Sequence, residues 1–426
     1  MLNRTQPPLI REIDFLQLPP VEIFTLDNGI PVYVVNMGTQ EVLKLELIFF
    51  AGRPFEQKQL VARATAAMLK EGTRSYDSAA VAEIFDFYGS SFRTPFNTDT
   101  ANVELHSLNK YFEQVLPVVA EILAEPSFPQ KELDTFIRVN QQNLQVDLTK
   151  NDTVAYRMVT ELIFGPEHPY GYNSYPETYG ALLREDLVQH YERCFTAGNC
   201  KIVLSGKIDS QILSALNQYI GQAIRPGAAL TAQPQRQPST TRRMHIHHPD
   251  TVQKAIRLGR DMCNRFHPDY PGMYMVNTIL GGYFSSRLME NIREDKGYTY
   301  NIYSTLDTMC FDSSFHIGTE VNNEFANQTL DEVYREMELL RREPVDAEEM
   351  AMVRNYVMGG FLTMLDGPFN VSEVVKTIVT EGLPMDYIET LTRALQAITP
   401  DDIMELSQKY LNPDDYWEVI VGEMKD

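Results

Sequence analysis

Cysteine is scarce in this chain of 426 residues, and its four thiols are widely separated: Cys194, Cys200, Cys263 and Cys310. This number and spacing do not suggest a disulfide framework or a zinc knuckle. Long apolar runs are absent too, since no stretch approaches the ~18 apolar residues of a membrane-spanning helix. Residues 1–8 lack the apolar stretch of a secretion signal. Together these absences predict a protein of the reducing cytoplasm.

Positively charged residues are also fewer than negatively charged ones. The chain holds 37 Lys and Arg against 58 Asp and Glu, which gives a formal net charge of −21. Phosphate backbones and anionic membranes would repel such a chain, so we expect neither nucleic acid nor a membrane as partner. The remaining composition is that of an ordinary globular protein, and the length predicts more than one domain.

The second half of the chain repeats the first. Residues 187–206, a helix pattern followed by a strand pattern, match residues 403–422 at an offset of 216. A second helix pattern precedes both Glu125-Pro126 and Glu343-Pro344, at an offset of 218. Each copy contains strands and then helices. We therefore predict an α+β fold of two homologous domains, each a mostly antiparallel sheet packed with helices.

The predicted linker between the domains is residues 221–243. This segment is rich in Pro, Gln, Ser and Thr and contains no Asp or Glu, although the whole chain is acidic. That composition suits an exposed connection between domains. The predicted domains are therefore residues 1–220 and 244–426.

Local patterns in the first half predict a hairpin, a helix and a long strand. Asn28-Gly29 lies between two strand patterns and favours a type I′ turn, because both residue types tolerate a positive φ. Leu60, Ala64 and Met68 recur every four residues, as on one face of a helix. Strand-like sequence covers residues 92–108.

The most distinctive stretch is Gly281–Tyr300. It predicts a diglycine turn, a short helix capped by Ser285-Ser286, a stop at Gly297 and then a strand. In that strand, Tyr298, Tyr300 and Ile302 follow at a spacing of two, as residues on one face would. The pattern places Arg293 in the last helical turn and Tyr300 early in the strand, where a guanidinium and a phenol can face one space.

These features together resemble the pitrilysin/insulinase-like family of zinc metallopeptidases. The resemblance covers essentially the whole chain and is most specific in the segment Gly-Gly…Ser-Arg-Leu…Arg-Glu-x-x-Gly…Tyr. It implies a duplicated, clamshell-half fold. In that family, His-x-x-Glu-His on a helix of the first half supplies two zinc ligands and the base that activates water, and a farther glutamate completes the site.

This chain departs from the family at the zinc site. Met68–Thr73 looks like the segment that follows the motif, so the motif falls on residues 63–67: Arg63 and Ala67 take the two ligand positions and Ala66 the base position. No His-x-x-Glu-His occurs anywhere, and residues 135–146, where the farther glutamate should lie, contain no acid. Alanine offers no lone pair and Arg63 repels a divalent ion. We expect no metal cofactor in this chain.

The resemblance assigns Arg293 and Tyr300 to a retained pair that binds substrate. In the family such a pair contacts the peptide carbonyl and the oxyanion that forms on water attack, and both donors suit that task. Without the resemblance, a surface arginine near a helix end and a core tyrosine in a strand explain the spacing as well. Arg287, in the first helical turn, is expected to be structural.

Three further motifs receive plainer interpretations. The run His245-Ile246-His247-His248 could form a metal cluster, but His245 and His247 lie on one face of a predicted strand and we expect no acidic partner nearby, so metal binding is disfavoured. Glu167-His168 falls in a turn-rich stretch that predicts a structured loop. Residues 343–349 predict an exposed helix start capped by Asp346.

The sequence therefore predicts a non-catalytic, substrate-binding subunit of a zinc peptidase. Its partner would be a homologous chain with the zinc motif, which would hold the zinc, and their shared ligand would be a peptide. The alternative is a homodimeric peptide-binding or structural scaffold without proteolytic activity. A third hypothesis, an active zinc enzyme with another site, predicts stoichiometric zinc in the isolated chain.

Overall fold

The computed structural model describes Ile13 and residues 15–423. The prediction about a secretion signal concerns residues 1–8, which lie outside the described residues. Within the described range, no helix is long and apolar enough to cross a membrane.

The first half of the chain forms a six-stranded sheet, here called the first sheet. Its strands are β1 (Glu22–Thr25), β2 (Pro31–Asn36), β3 (Val42–Phe49), β4 (Ser91–Arg93), β5 (Ala101–Leu108) and β6 (Cys200–Gly206). Their order is β1-β2-β6-β3-β5-β4, and only β2 and β6 run parallel to each other. The central strand β3 is buried from Leu43 to Phe49, as a strand covered on both faces must be.

Helices of the same half accompany this sheet. They are α1 (Val61–Met68), α2 (Ser78–Phe87), α3 (Phe112–Ala124), α4 (Gln130–Asp147), α5 (Asn151–Phe164), α6 (Pro176–Gly180), α7 (Arg184–Cys194) and α8 (Ser210–Ala223). Buried apolar side chains recur along α3 at three- and four-residue intervals, so one face of the helix contributes to the core beside the first sheet.

The second half repeats this plan around a five-stranded second sheet. Its strands are β7 (Arg243–His247), β8 (Gln253–Asp261), β9 (Thr299–Thr308), β10 (Ser313–Asn322) and β11 (Trp417–Gly422). The order is β7-β11-β8-β10-β9, and again only one pair, β7 and β11, is parallel. Its helices are α9 (Tyr270–Asn277), α10 (Ala326–Arg342), α11 (Ala347–Met364), α12 (Pro368–Glu381), α13 (Tyr387–Ala397) and α14 (Pro400–Tyr410).

One helix of each half packs on the sheet of the other half. Helix α5 packs its apolar face on β8 and β11, in a cluster that includes Val159, Ile163 and Trp417. Helix α12 packs on β2 and β6 of the first sheet through Val371 and Val375. The two helices stand at the same place in the repeat, 217 residues apart from first to first and from last to last. The halves are therefore joined by a reciprocal exchange of helices.

The predicted fold class is confirmed, because two mostly antiparallel sheets pack against helices in repeated order. The domain bounds 1–220, 221–243 and 244–426 remain predictions. In the structure α8 extends to Ala223, and residues 225–239 contain no helix or strand.

Two local predictions about the first half are wrong. The loop from Leu26 to Ile30 contains a single positive φ, at Gly29, whose amide donates to the Leu26 carbonyl, so the turn is not of type I′. Residues 92–108 form two strands, β4 and β5, instead of one. The intervening loop contains Pro95, which cannot donate to a sheet ladder.

Candidate functional site

The stretch from Gly281 to Tyr300 forms the helix, the stop and the strand predicted for it, with three differences. Its helical part includes a π-helical segment, Met289–Asp295, and Gly297 then takes a left-handed φ of +65° that ends it. Ser285 and Ser286 do not cap the helix: the Ser286 hydroxyl is buried and has no partner among the described residues.

The second difference concerns the two glycines, which do not form a turn. Gly281 and Gly282 end a π-helical segment, Thr278–Gly282, that follows α9. A Cβ on Gly281 would lie 2.5 Å from the backbone nitrogen of Ser304 in β9. Glycine is therefore required here because the helix and the edge strand approach closely, and this contact fixes the position of β9 beside the short helix.

The third difference is a β-bulge at Tyr300. Thr299 pairs with Val321 and Ile302 pairs with Thr319, so Tyr300 and Asn301 together lie opposite one residue of β10. The extra residue breaks the alternation of the strand. Ile302 is consequently buried at 1% exposure while Tyr300 is 86% exposed, and the prediction that they share a face is wrong. The bulge turns the phenol of Tyr300 out of the core.

Arg293 and Tyr300 lie side by side. The guanidinium carbon of Arg293 is 5.2 Å from the centre of the Tyr300 ring and 4.5 Å from the centre of the Phe284 ring. Both rings are exposed, and contacts of this length are cation–π interactions. Among the described residues, no side-chain hydrogen bond or ion pair engages Arg293 or the Tyr300 hydroxyl. Two strong donor groups therefore remain available at one spot on the surface.

Arg287 behaves differently from Arg293, although it lies six residues earlier. Its Nε and Nη2 donate to the two carboxylate oxygens of Glu349 at 2.9 and 2.7 Å. This bidentate pair joins the short helix to the start of α11, where Asp346 caps the helix by accepting from the Glu349 amide at 2.8 Å. The contacts agree with the structural role expected for Arg287 and with the predicted cap at Asp346.

The degenerate zinc motif lies on α1. Arg63 is exposed there and donates from Nη2 to the Asn140 side chain at 3.3 Å, whereas Ala66 is buried. Ala67 lines a cavity of about 560 Å³ whose other wall includes Phe136 and Val139 of α4. These side chains offer zinc no ligand, so the residues at this position do not fit the metal.

No other part of the described chain presents a metal site. Among the residues described, no group of three or more His, Cys, Asp or Glu side chains is arranged to hold an ion. The expectation that the His245–His248 run has no acidic neighbour is wrong: His245 Nε2 lies 3.9 Å from Glu418 Oε1 on the adjacent strand β11. His245 and His247 lie on one face of the edge strand β7, and His248 follows the strand.

Glu167-His168 lies in a structured loop, as the sequence predicts. The His168 ring is buried and stacks on Phe164 with ring centres 5.2 Å apart. Burial lowers the pKa of His168 to about 4, and the nearby charge of Arg236 acts in the same direction. This histidine is a neutral packing group at physiological pH.

Sequence reasoning missed two features of the site region. Phe284 contacts Arg293 across nine residues of sequence, and no spacing rule marks it as a partner. The second feature is a set of three arginines around a cavity beside α1: Arg53, Arg63 and Arg157. They are widely separated along the chain, so only the tertiary fold brings them together.

Known proteins are similar to this chain in sequence and in fold. The chain matches the family model described as "Peptidase M16 inactive domain" over residues 181–357. It is 20% identical to the "Uncharacterized zinc protease YmxG" of Bacillus subtilis, over 81% of this chain and 85% of that one. It is 22% identical to the "Non-peptidase homolog YmxG" of Helicobacter pylori, over 89% of each chain.

A solved structure agrees with both. The peptidase M16 inactive domain from Pseudomonas fluorescens superimposes with a TM-score of 0.87 at 25% identity, over 95% of this chain and 98% of that one. The predicted resemblance is thus confirmed: the chain is similar, over most of its length, to proteins described as inactive homologues of M16, or pitrilysin/insulinase-like, peptidases.

Proposed function

We propose that this chain is the non-catalytic, substrate-binding subunit of a pitrilysin/insulinase-like zinc peptidase. Its partner is a homologous chain that carries His-x-x-Glu-His and the zinc. The observation that carries the proposal is the pairing of the half-buried Arg293 with the exposed Tyr300, whose donors are adjacent and unused by the described protein. Because these donors bond no described residue, they are free to bind a ligand from outside the chain.

The chemistry of the pair suits a peptide bond under attack. When water adds to a peptide carbonyl at the partner's site, negative charge develops on the carbonyl oxygen. A guanidinium stays charged at every physiological pH, and a phenol donates one hydrogen bond without giving up its proton. Arg293 and Tyr300 can therefore stabilise that oxygen as fixed donors, which is the arrangement that catalysis of acyl transfer requires.

The surrounding backbone suits an extended peptide. Strand β9 is the edge of the second sheet, with β10 on one side and no described strand on the other. Backbone groups on a free edge can pair with an added strand. Because Tyr300 belongs to this strand and Arg293 lies beside it, a peptide that pairs along β9 has its carbonyls close to both donors. We expect this function to be exercised in the cytoplasm.

Co-purification tests the proposal. The chain is produced alone and together with a homologue that contains His-x-x-Glu-His, and each preparation is assayed for oligomeric state, zinc content and hydrolysis of an unstructured peptide. We expect a heterodimer that hydrolyses peptide and an isolated chain that does not. As a control, the motif glutamate of the homologue is replaced by glutamine, which should abolish hydrolysis and preserve the heterodimer.

The opposite result is equally clear. A stable self-dimer that is inert with the homologue present would contradict the proposal and favour the homodimeric scaffold. One equivalent of zinc in the isolated chain would favour an active enzyme with another metal site.

A further inference from the structure

A cavity of about 310 Å³ lies beside helices α1 and α5, which contribute Arg63 and Arg157 to its lining. Three arginines contribute to its wall, Arg53, Arg63 and Arg157, together with aromatic and apolar side chains that include Phe96, Tyr170 and Met309. No carboxylate belongs to the lining. In a chain whose net charge is −21, a cavity lined by three cations and no anion is an exceptional environment. We call it the arginine pocket.

The guanidinium groups in the arginine pocket are held by neutral acceptors. Arg53 donates from Nη2 to the Tyr172 carbonyl at 2.6 Å, and Arg157 donates from Nη2 to the Ser174 carbonyl at 2.5 Å. Arg63 reaches the side-chain oxygen of Asn140 at 3.3 Å. None of the three forms an ion pair with a described residue. Their positive charges are thus fixed in place while most of their N–H donors stay uncommitted.

Packing fixes Arg53 more firmly than a surface arginine. Its guanidinium carbon lies 3.5 Å from the centre of the Tyr172 ring, and its Nε is buried without a partner among the described residues. Its position follows from the preceding glycine: a Cβ on Gly52 would lie 2.2 Å from the Thr98 carbonyl, so only glycine lets the Arg53 amide bond that carbonyl.

The acids nearest the arginine pocket lie behind its wall. Tyr172 donates from its hydroxyl to Glu56 at 2.5 Å, and Tyr156 donates to Asp307 at 3.4 Å. Tyr170 donates likewise to Asp99. Burial raises the pKa of Glu56 to about 7 and also raises the pKa of Asp99, so both are weaker anions than ordinary carboxylates. Three of the neighbouring acids are therefore engaged by tyrosines, and a fourth, Glu161 of α5, is engaged by Asn173 at 2.7 Å.

Backbone strain is also present at the arginine pocket. Leu60, which lines it, has a φ of +70° immediately before α1, a conformation that side chains other than glycine rarely adopt. Strained non-glycine residues concentrate at ligand-binding and active sites, where the surrounding structure holds them. Arg63 stands one helical turn after Leu60, at the position where zinc peptidases of this family carry the first metal ligand.

We propose that the arginine pocket binds the carboxylate of a small ligand or peptide C-terminus that carries an aromatic or apolar group. Arg53 and Arg157 hold the carboxylate, because guanidinium forks match its planar pair of oxygens. Phe96 and Met309 contact the apolar part.

The proposal is independent of the proposed function, because binding is measured on this chain alone. Isothermal titration calorimetry at low salt compares N-acetylphenylalanine with its uncharged amide, and free Ala-Ala-Phe with Ala-Ala-Phe amide. We expect each acid to bind at least about tenfold more tightly than its amide, as a charge-assisted contact implies. Stronger binding by the tripeptide acid identifies a peptide C-terminus; stronger binding by the acetylated amino acid identifies a small molecule.

Variants place the binding in the arginine pocket. Arg157→Gln should weaken binding of the better acid at least tenfold, and Arg63→Gln, at the exposed rim, should weaken it less while leaving the core untouched. Arg138→Gln, an exposed residue of α4 outside the lining, removes the same charge and should change nothing. Equal binding of acid and amide, no binding of either acid, tighter binding of inorganic phosphate, or unchanged binding in both pocket variants would overturn the proposal.

Discussion

The two halves of this chain share an architecture and differ in their charges. In the first sheet, the buried carboxylate of Glu46 on β3 receives Lys376 of α12 at 3.1 Å. In the second sheet, the buried guanidinium of Arg257 on β8 receives Asp152 of α5 at 2.5 Å. Strands β3 and β8 hold the same place in the two sheets, so the signs are reversed at corresponding positions. The first interface also pairs Lys44 of β3 with Glu373 of α12, in the same sense as Arg257 with Asp152, so each exchanged helix meets its own pattern of charges.

The candidate sites of the two halves both contain arginine but differ in how the arginine is held. In the first half, Arg53, Arg63 and Arg157 line a cavity and each donates to a neutral acceptor. In the second half, Arg293 lies on an open surface between Phe284 and Tyr300 without an acceptor. Anchored arginines suit a small ligand that enters a pocket, whereas free donors beside an edge strand suit a chain that passes along the surface.

The largest expected effect comes from the buried acid of the first half. Glu46 is 1% exposed and lies 2.8 Å from Lys44 and 3.1 Å from Lys376. Glu46→Gln should lower the free energy of unfolding by about 3 kcal/mol, because it leaves buried ammonium groups with less counter-charge. Urea denaturation of the purified chain measures this loss.

A second substitution sharpens the result. The double variant Glu46→Gln with Lys376→Met removes one charge of each sign and should regain most of the lost stability. Additive losses in the double variant would show that the pair does not act as a unit, and the comparison of the two interfaces would then fail.

A smaller loss is expected at the corresponding interface of the second half. Asp152→Asn leaves Arg257 buried, but Asp152 itself is 42% exposed and Arg257 keeps its contact with the Tyr303 hydroxyl. Solvent screens the pair, so the free energy of unfolding should fall by about 1 kcal/mol. Denaturation under the same conditions as for Glu46→Gln tests this ranking, and a larger loss for Asp152→Asn would reverse it.

Sequence patterns predicted what depends on local spacing. The α+β repeat, the cap at Asp346 and the stop at Gly297 follow from periodicity and from the conformational freedom of single residues. The bulge at Tyr300 did not follow, since it depends on the register between β9 and β10. The exchange of α5 and α12 and the gathering of Arg53 with Arg157 depend on contacts across the whole chain, which local patterns do not encode.

The degenerate zinc motif shows the same difference between what local sequence predicts and what depends on tertiary contacts. Resemblance located residues 63–67, and the side chains there explain why zinc is not held. The surroundings of these side chains could not be predicted from the sequence, because Ala67 lines one cavity and Arg63 lines another. The packing of α1 beside α4 determines which side chains line each cavity.

The most direct test of the account is the turnover number of the assembled pair after substitution of the two donors. Arg293→Ala and Tyr300→Phe should each lower kcat for peptide hydrolysis by about 100- to 1000-fold, with the heterodimer intact by size-exclusion chromatography. Arg74→Ala, which removes an exposed arginine elsewhere, should leave kcat unchanged. An unaltered kcat in both Arg293→Ala and Tyr300→Phe would contradict the claim that this chain completes another chain's active site.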